Sequence, residues 1–238
     1  YSLVCLQSNE TSTGVYNPVK EIVPIIKDYG ALVCIDATSS MAGVKIEVDK
    51  LGIDVCLASV QKCLAMPPGL AVASVSEEAF NKAETVQNRG FYFDFQYFLK
   101  KNKSNQTPTT PPIPHIRALA AQLDYILNQE NLEDRFKRHT QLGKRTRIWA
   151  RDMNLEMFSE SGYESNTVST IKNTLNLDYS QMVENMLSKG YRIVNGYGSL
   201  SNETFRIGHM GEITIKDLEE MLEKLTDVIS DLRLKKME

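Results

Sequence analysis

Three side chains stand where a stable fold has no evident need of them. Lys62 ends the run Ser59-Val60-Gln61-Lys62 and leads into Cys63-Leu64-Ala65-Met66-Pro67-Pro68-Gly69. A lysine between an apolar strand and a Pro-Pro-Gly turn has little water about it. Burial favours the neutral amine, the form that a Schiff-base nucleophile requires. The alternative is a lysine whose stem lies along apolar neighbours while its ammonium reaches the rim. Asp36 closes the apolar run 31–35, so its carboxylate falls at the carboxyl end of a predicted buried strand. Ligands of α/β sheets bind beyond such ends, but an aspartate there can equally cap the next turn through Thr38 or Ser39. Arg206 sits inside the short apolar strand Thr204-Phe205-Arg206-Ile207-Gly208. Its planar fork matches a carboxylate with two parallel hydrogen bonds; the alternative is a salt bridge between domains.

The elements that must position these groups follow from pattern. Short uncharged runs at 2–6, 31–35, 55–58 and 70–75, bounded by Gly, Asp or Ser, read as buried strands. Between the first two, Val19, Ile22, Val23 and Ile26 form a helical stripe over 18–29, with Pro18 near its first turn and Gly30 at its stop. Strand, helix, strand at this spacing predicts a crossover unit and an α/β layer architecture. Residues 100–114, polar and then rich in Pro and Thr, are expected to run extended rather than helical. Helices are expected over 116–127 and 132–153, bridging to a last third that reads α+β. There 168–171 and 192–194 are candidate strands around an amphipathic helix 178–189 that Gly190 stops. Thr214-Ile215-Lys216-Asp217 is patterned as a capping box for a helix with an inward row of Leu218, Leu222, Leu225, Val228, Ile229 and Leu232. Arg233, Lys235 and Lys236 in its last turn suit the helix dipole.

Composition excludes several classes. With 27 Lys and Arg against 30 Asp and Glu, the net charge is −3, and no basic surface for nucleic acid is indicated. A hydrophobic share of 42% over 238 residues supplies a sizeable core and argues against disorder. The longest uncharged apolar stretch, 63–76, is broken by Pro67 and Pro68 and is too short for a membrane helix. Cys5, Cys34, Cys56 and Cys63 lie in strand-like apolar settings with no C-x-x-C pair. That pattern suits buried thiols in a reducing, cytoplasmic compartment better than disulfides or zinc. No secretory signal is visible, and Tyr1 stands in place of an initiator Met, already inside an apolar run.

Taken together, these motifs resemble a family. The run Asn9-Glu10-Thr11-Ser12-Thr13-Gly14-Val15, then Asp36-Ala37-Thr38-Ser39-Ser40 with Gly43, then Ser59-Val60-Gln61-Lys62 followed by Pro67-Pro68-Gly69-Leu70-Ala71, looks like the class V aminotransferases. Residues 107–119 and Phe205-Arg206-Ile207-Gly208-His209-Met210-Gly211 are similar to the alanine–glyoxylate and serine–pyruvate aminotransferase branch. The resemblance covers nearly the whole chain in the right order.

What the resemblance implies is specific. The fold is α/β, the fold type I of pyridoxal-phosphate transferases: a mostly parallel sheet flanked by helices, plus a smaller α+β C-terminal domain. Residues 1–130 belong to the large cofactor-binding domain and 131–238 form the small domain with its bridging helix. The cofactor is pyridoxal 5'-phosphate. Lys62 forms the internal aldimine and shuttles the proton, and Asp36 pairs with the pyridinium nitrogen so that the ring serves as electron sink. Gln61 and Thr110 contact the phosphate, Thr110 from the neighbouring subunit of a homodimer with shared active sites. Thr11 lies near the ring hydroxyl, and Arg206 clamps the substrate carboxylate. His209 follows closely and is assigned no catalytic role. The implied reaction is transamination between a small amino acid, alanine or serine, and a 2-oxo acid, glyoxylate or pyruvate. A cysteine desulfurase and a non-catalytic scaffold of the same fold are the alternatives. Desulfurases typically carry His where Gln61 stands. Family members have, ahead of the region seen here, a Gly/Ser-rich phosphate loop and an aromatic residue that stacks on the pyridine. The resemblance therefore implies the carboxyl-terminal two-thirds of such an enzyme.

Overall fold

The computed structural model describes residues 1–237. The chain opens with β1 (Leu3–Gln7), a two-stranded ribbon of β2 (Asn9–Glu10) and β3 (Val15–Tyr16), and α1 (Val19–Asp28). Then come β4 (Leu32–Asp36), the single turn α2 (Val48–Leu51), β5 (Val55–Ser59) and β6 (Ala71–Val75). These strands form one sheet in the order β1-β4-β5-β6, parallel across its first two pairs and antiparallel at β5/β6. Apolar residues shape it locally: Val33 and Ile35 of β4 face Val19 and Val23 of α1 in one buried cluster with Ala37, Ile53 and Cys56. The edge strands β1 and β6 are both largely exposed, unlike the buried strands expected from their apolar runs, and Cys5 of β1 is an exposed thiol rather than a buried one. An edge strand needs only one covered face.

The middle of the chain is helical: α3 (Glu77–Glu84), α4 (Phe95–Lys103), α5 (Ile113–Asp124), a π-helical stretch Tyr125–Glu130, and the long α6 (Leu132–Asp152). This corrects the extended reading of 100–114, since residues 100–103 finish α4 and 113–114 begin α5. Asp94 caps α4 through its carboxylate, which accepts from the Gln96 N–H at 3.0 Å. Pro114 lies in the first turn of α5, where a missing N–H has no intrahelical partner to lose.

The last third holds β7 (Glu156–Met157), β8 (Val168–Lys172), α7 (Tyr179–Ser188), β9 (Val194–Asn195), a 3-10 turn, β10 (Thr204–Gly208) and α8 (Ile215–Met237). Its sheet, β7-β8-β10-β9, is wholly antiparallel. Its core joins Leu142 and Trp149 of α6, Met182 and Met186 of α7, Phe205 and Ile207 of β10, and the whole predicted row of α8. The capping box forms as the pattern predicts. Thr214 donates from N–H and hydroxyl to the Asp217 carboxylate at 2.9 and 2.6 Å, and the Asp217 N–H returns a bond of 3.2 Å. Among the described residues no helix is long and apolar enough to cross a membrane.

Candidate active site

Parallel pairing puts the carboxyl ends of β1, β4 and β5 on one edge of the first sheet, with Gln7 opposite Asp36 and Asp36 opposite Leu57. Asp36 is exposed there, and its Oδ1 accepts from the Thr38 N–H at 2.8 Å. The turn-capping reading is thus realised, and it fixes the carboxylate at the sheet edge. The chain leaves β5 at this edge, carries Gln61 and Lys62 outward, and returns to β6 through Pro67-Pro68-Gly69; the Val60 N–H bonds the Leu70 carbonyl at 3.2 Å. Gln61 is exposed and Lys62 half-buried, less enclosed than its apolar surroundings in sequence suggest.

Ser39 ties the segments together. Its hydroxyl lies 2.7 Å from that of Thr11, and its carbonyl accepts from the Thr167 hydroxyl at 2.5 Å. The Cys63 thiol, buried beside Lys62, reaches the same carbonyl at 3.6 Å, and burial pushes its pKa up to about 12. Arg206 comes from the second sheet to this point. Its Nη1 donates to the Thr11 carbonyl at 3.3 Å and its Nε to the Asn195 carbonyl at 3.0 Å, and its fork lies 5.8 Å from the centre of the Tyr197 ring. Among the described residues Arg206 makes no ion pair, so in place of the expected salt bridge stands its hydrogen bond to the Thr11 carbonyl. Its charge is felt by Glu10. Burial raises that carboxyl, but bonds from Ser12 and Gln7 together with Arg206 hold it below the ordinary value.

A cleft of about 560 Å³ opens beside Asp36, lined also by Asn9, Glu10, Thr11, Thr38 and Ser39. Lys62 does not line it but is joined to it through Cys63 and Ser39. Thr110 is exposed in the turn before α5, and no hydrogen bond joins its side chain to the other candidates among the described residues. A larger cleft, about 870 Å³, is lined by Tyr16, Lys20, Lys45, Phe136, Tyr163 and others, and holds none of the candidate residues. His209 is fully buried, its Nε2 2.9 Å from the Ser169 hydroxyl. Burial and then the Arg147 charge depress its pKa to about 3, as befits a neutral core group.

Neither Ser39 as a junction nor Asn9 as a cleft residue stands out in the sequence by residue type. Asn9 is buried with its amide nitrogen and oxygen unbonded among the described residues. The signal for both was their place inside the quoted motifs. A cleft of this volume lies within the usual range for a small ligand. Its polar lining, a carboxylate, hydroxyls and an unsatisfied amide, fits an aromatic cofactor that carries a ring nitrogen, and the loop of Lys62 is tied to it through the Cys63 thiol.

The family described as aminotransferase class-V matches residues 1–190, and the chain belongs to that family, whose coenzyme is pyridoxal 5'-phosphate. An uncharacterized aminotransferase of Methanocaldococcus jannaschii is 42% identical over 212 residues, covering 87% of this chain and 54% of the relative. A serine–glyoxylate aminotransferase of Arabidopsis thaliana is 32% identical over 216 residues, covering 88% and 53%. The crystal structure of an alanine–glyoxylate aminotransferase from Nostoc superposes with a TM-score of 0.89 at 25% identity, covering 96% of this chain and 62% of that one. The chain thus spans about half the length of the curated relatives it matches.

Proposed function

We propose that the protein is a pyridoxal-phosphate aminotransferase that exchanges an amino group between alanine or serine and glyoxylate or pyruvate. The observation that carries this reading is the convergence, at one sheet edge, of Asp36, the Lys62 loop and Arg206 upon Ser39 and Thr11. The coenzyme, when bound, supplies an electron sink for the substrate's Cα carbanion. Asp36 holds a proton on the ring nitrogen, because an adjacent anion raises the pKa of a base. Lys62 supplies the amine that attaches the coenzyme, and the same Nζ carries the proton to and from Cα. Thr11 orients the ring hydroxyl, and Gln61 binds phosphate with Thr110 of a second subunit. Arg206 receives the substrate carboxylate; its Nε bond to Asn195 fixes the plane of the fork before substrate arrives.

The same reading divides the chain into a large domain through residue 130 and a small domain from 131. It also makes the protein a cytoplasmic homodimer. The exposed aromatics Phe91, Tyr92, Phe93 and Phe98 support a partner surface, and the four free thiols support a reducing compartment. The desulfurase alternative finds no support in Cys34, Cys56 and Cys63. Burial raises each thiol, to about 11, 11 and 12, away from the range of a nucleophile.

Rapid mixing of the coenzyme-loaded protein with L-alanine or L-serine tests the proposal. The coenzyme's visible absorbance should bleach, glyoxylate or pyruvate should restore it, and Arg206→Ala should slow bleaching at least tenfold. Stable absorbance with every small amino acid tried would sink the transaminase reading and favour the scaffold.

A further inference from the structure

Arg135 is buried completely, an unusual place for a guanidinium. It stands on α6 with Arg138 and His139, three and four residues on, so the three side chains share one helix face. Its Nη2 donates to the carbonyl of Cys63 at 2.6 Å, one residue past Lys62. Its Nη1 pairs with Glu130, at the end of the π-helical stretch, and with Glu212 at 2.9 Å. His139 Nδ1 lies 2.8 Å from the Arg135 carbonyl and therefore carries the hydrogen, which leaves Nε2 to accept the Gly211 N–H at 3.1 Å. Arg138 donates from Nη1 to the carbonyls of Gly211 and Ile213 at 2.9 and 2.7 Å. One helix face therefore holds both the loop that bears Lys62 and the turn that follows the strand of Arg206. Those two segments also touch. A Cβ at Gly211, whose φ is +79°, would lie 3.2 Å from the Ala65 Cβ and 3.4 Å from the Lys62 carbonyl.

Stability alone does not explain this arrangement. Desolvating a guanidinium and its partners is costly, and well-packed apolar residues commonly serve a core as well or better. What an apolar side chain cannot do is fix a carbonyl in direction and distance. We propose that Arg135 and His139 are positioning residues that fasten the Lys62 loop and the turn beyond Arg206 to α6, so that the coenzyme amine and the carboxylate clamp keep a constant separation. This rests on the roles proposed above for Lys62 and Arg206.

The test compares the unaltered holoenzyme with Arg135→Met, which keeps the bulk, and Arg135→Lys, which keeps a charge and a donor. Three readouts are taken: N-ethylmaleimide labelling of Cys63 located by peptide mass, the Lys62 peptide trapped by borohydride, and kcat and KM for the amino donor. Arg135→Met should label Cys63 at least tenfold faster and lower kcat more than it raises KM, with coenzyme still trapped on Lys62. Arg135→Lys should recover part of both losses. Unchanged Cys63 labelling, or faster labelling with kcat intact, overturns the positioning role. Failure to trap Lys62 in the unaltered enzyme overturns the underlying reading instead. Should Arg135→Met not fold, native-state hydrogen exchange of the unaltered protein decides the matter. The Gly211 and Ala65 amides, bonded to His139 and the Lys62 carbonyl, should open with one common free energy; separate openings contradict a shared fastening.

Discussion

Gly43 lies where the turn after Asp36 meets both the Lys62 loop and the second sheet, and it leaves no room for a methyl group. A Cβ built there falls 2.7 Å from Cys63 Sγ and 2.8 Å from Thr167 Cγ2, whereas non-bonded carbons settle at about 3.5–4.0 Å. Neither neighbour can retreat easily. The Cys63 carbonyl is held by Arg135 at 2.6 Å, and Thr167 is held by its hydroxyl to the Ser39 carbonyl at 2.5 Å and by its N–H to the Ser165 hydroxyl at 3.0 Å. Gly43→Ala is therefore expected near the upper end of overpacking costs, about 3 kcal/mol. For a chain of this size that lowers Tm by roughly 6–12 °C in scanning calorimetry. Cys63→Ala removes the nearer obstacle, so the double variant should be more stable than the sum of the single losses predicts, by about 0.5 kcal/mol or more. A Gly43→Ala protein as stable as the parent, or strict additivity in the double variant, would refute the packing of this junction.

Two further outcomes follow from the same geometry. Asp36→Asn keeps an oxygen for the Thr38 N–H, so the fold should persist, while the lost charge-assisted bond should weaken coenzyme binding by about 10- to 100-fold in equilibrium dialysis. His139 is held neutral, its pKa lowered to about 4 by burial and then by the charges of Arg138 and Arg135, despite the opposing pull of its bond to the Arg135 carbonyl. The unfolded chain takes up this proton near pH 6.5, so the stabilisation is full above 6.5 and is lost as pH falls toward 4. It amounts to on the order of 3 kcal/mol, and the buried His209 acts in the same direction. Urea midpoints should drop over that window and drop less in His139→Gln; identical pH profiles would contradict the assignment.

Local pattern carried the strands β1, β4 and β5, the stripe of α1, and both the cap and the inward row of α8. Each depends on residues within a few positions of one another. The antiparallel turn of β6 was not legible, because an apolar run does not declare its direction. Nor was α4, whose lysines and asparagine mask the aromatic spacing of Phe95 and Phe98. At the site, Asp36, Lys62 and Arg206 could be picked out singly by residue type against surroundings. The bonds that join their segments could not, because these pass through Ser39, Thr167 and Arg135 and span from 28 to 128 positions. A buried arginine inside a heavily charged helix such as α6 leaves no local mark. Thr110 is exposed beside its own chain, so a role for it depends on a second subunit.

The account stands on the amine of Lys62 condensing with the coenzyme. Pyridoxal phosphate is bound to the protein, borohydride is added, and the digested peptides are mapped by mass. A single reduced coenzyme adduct on Lys62, absent from Lys62→Ala, is the expected result. An adduct on another lysine, or none on a folded protein that binds the coenzyme, would contradict it.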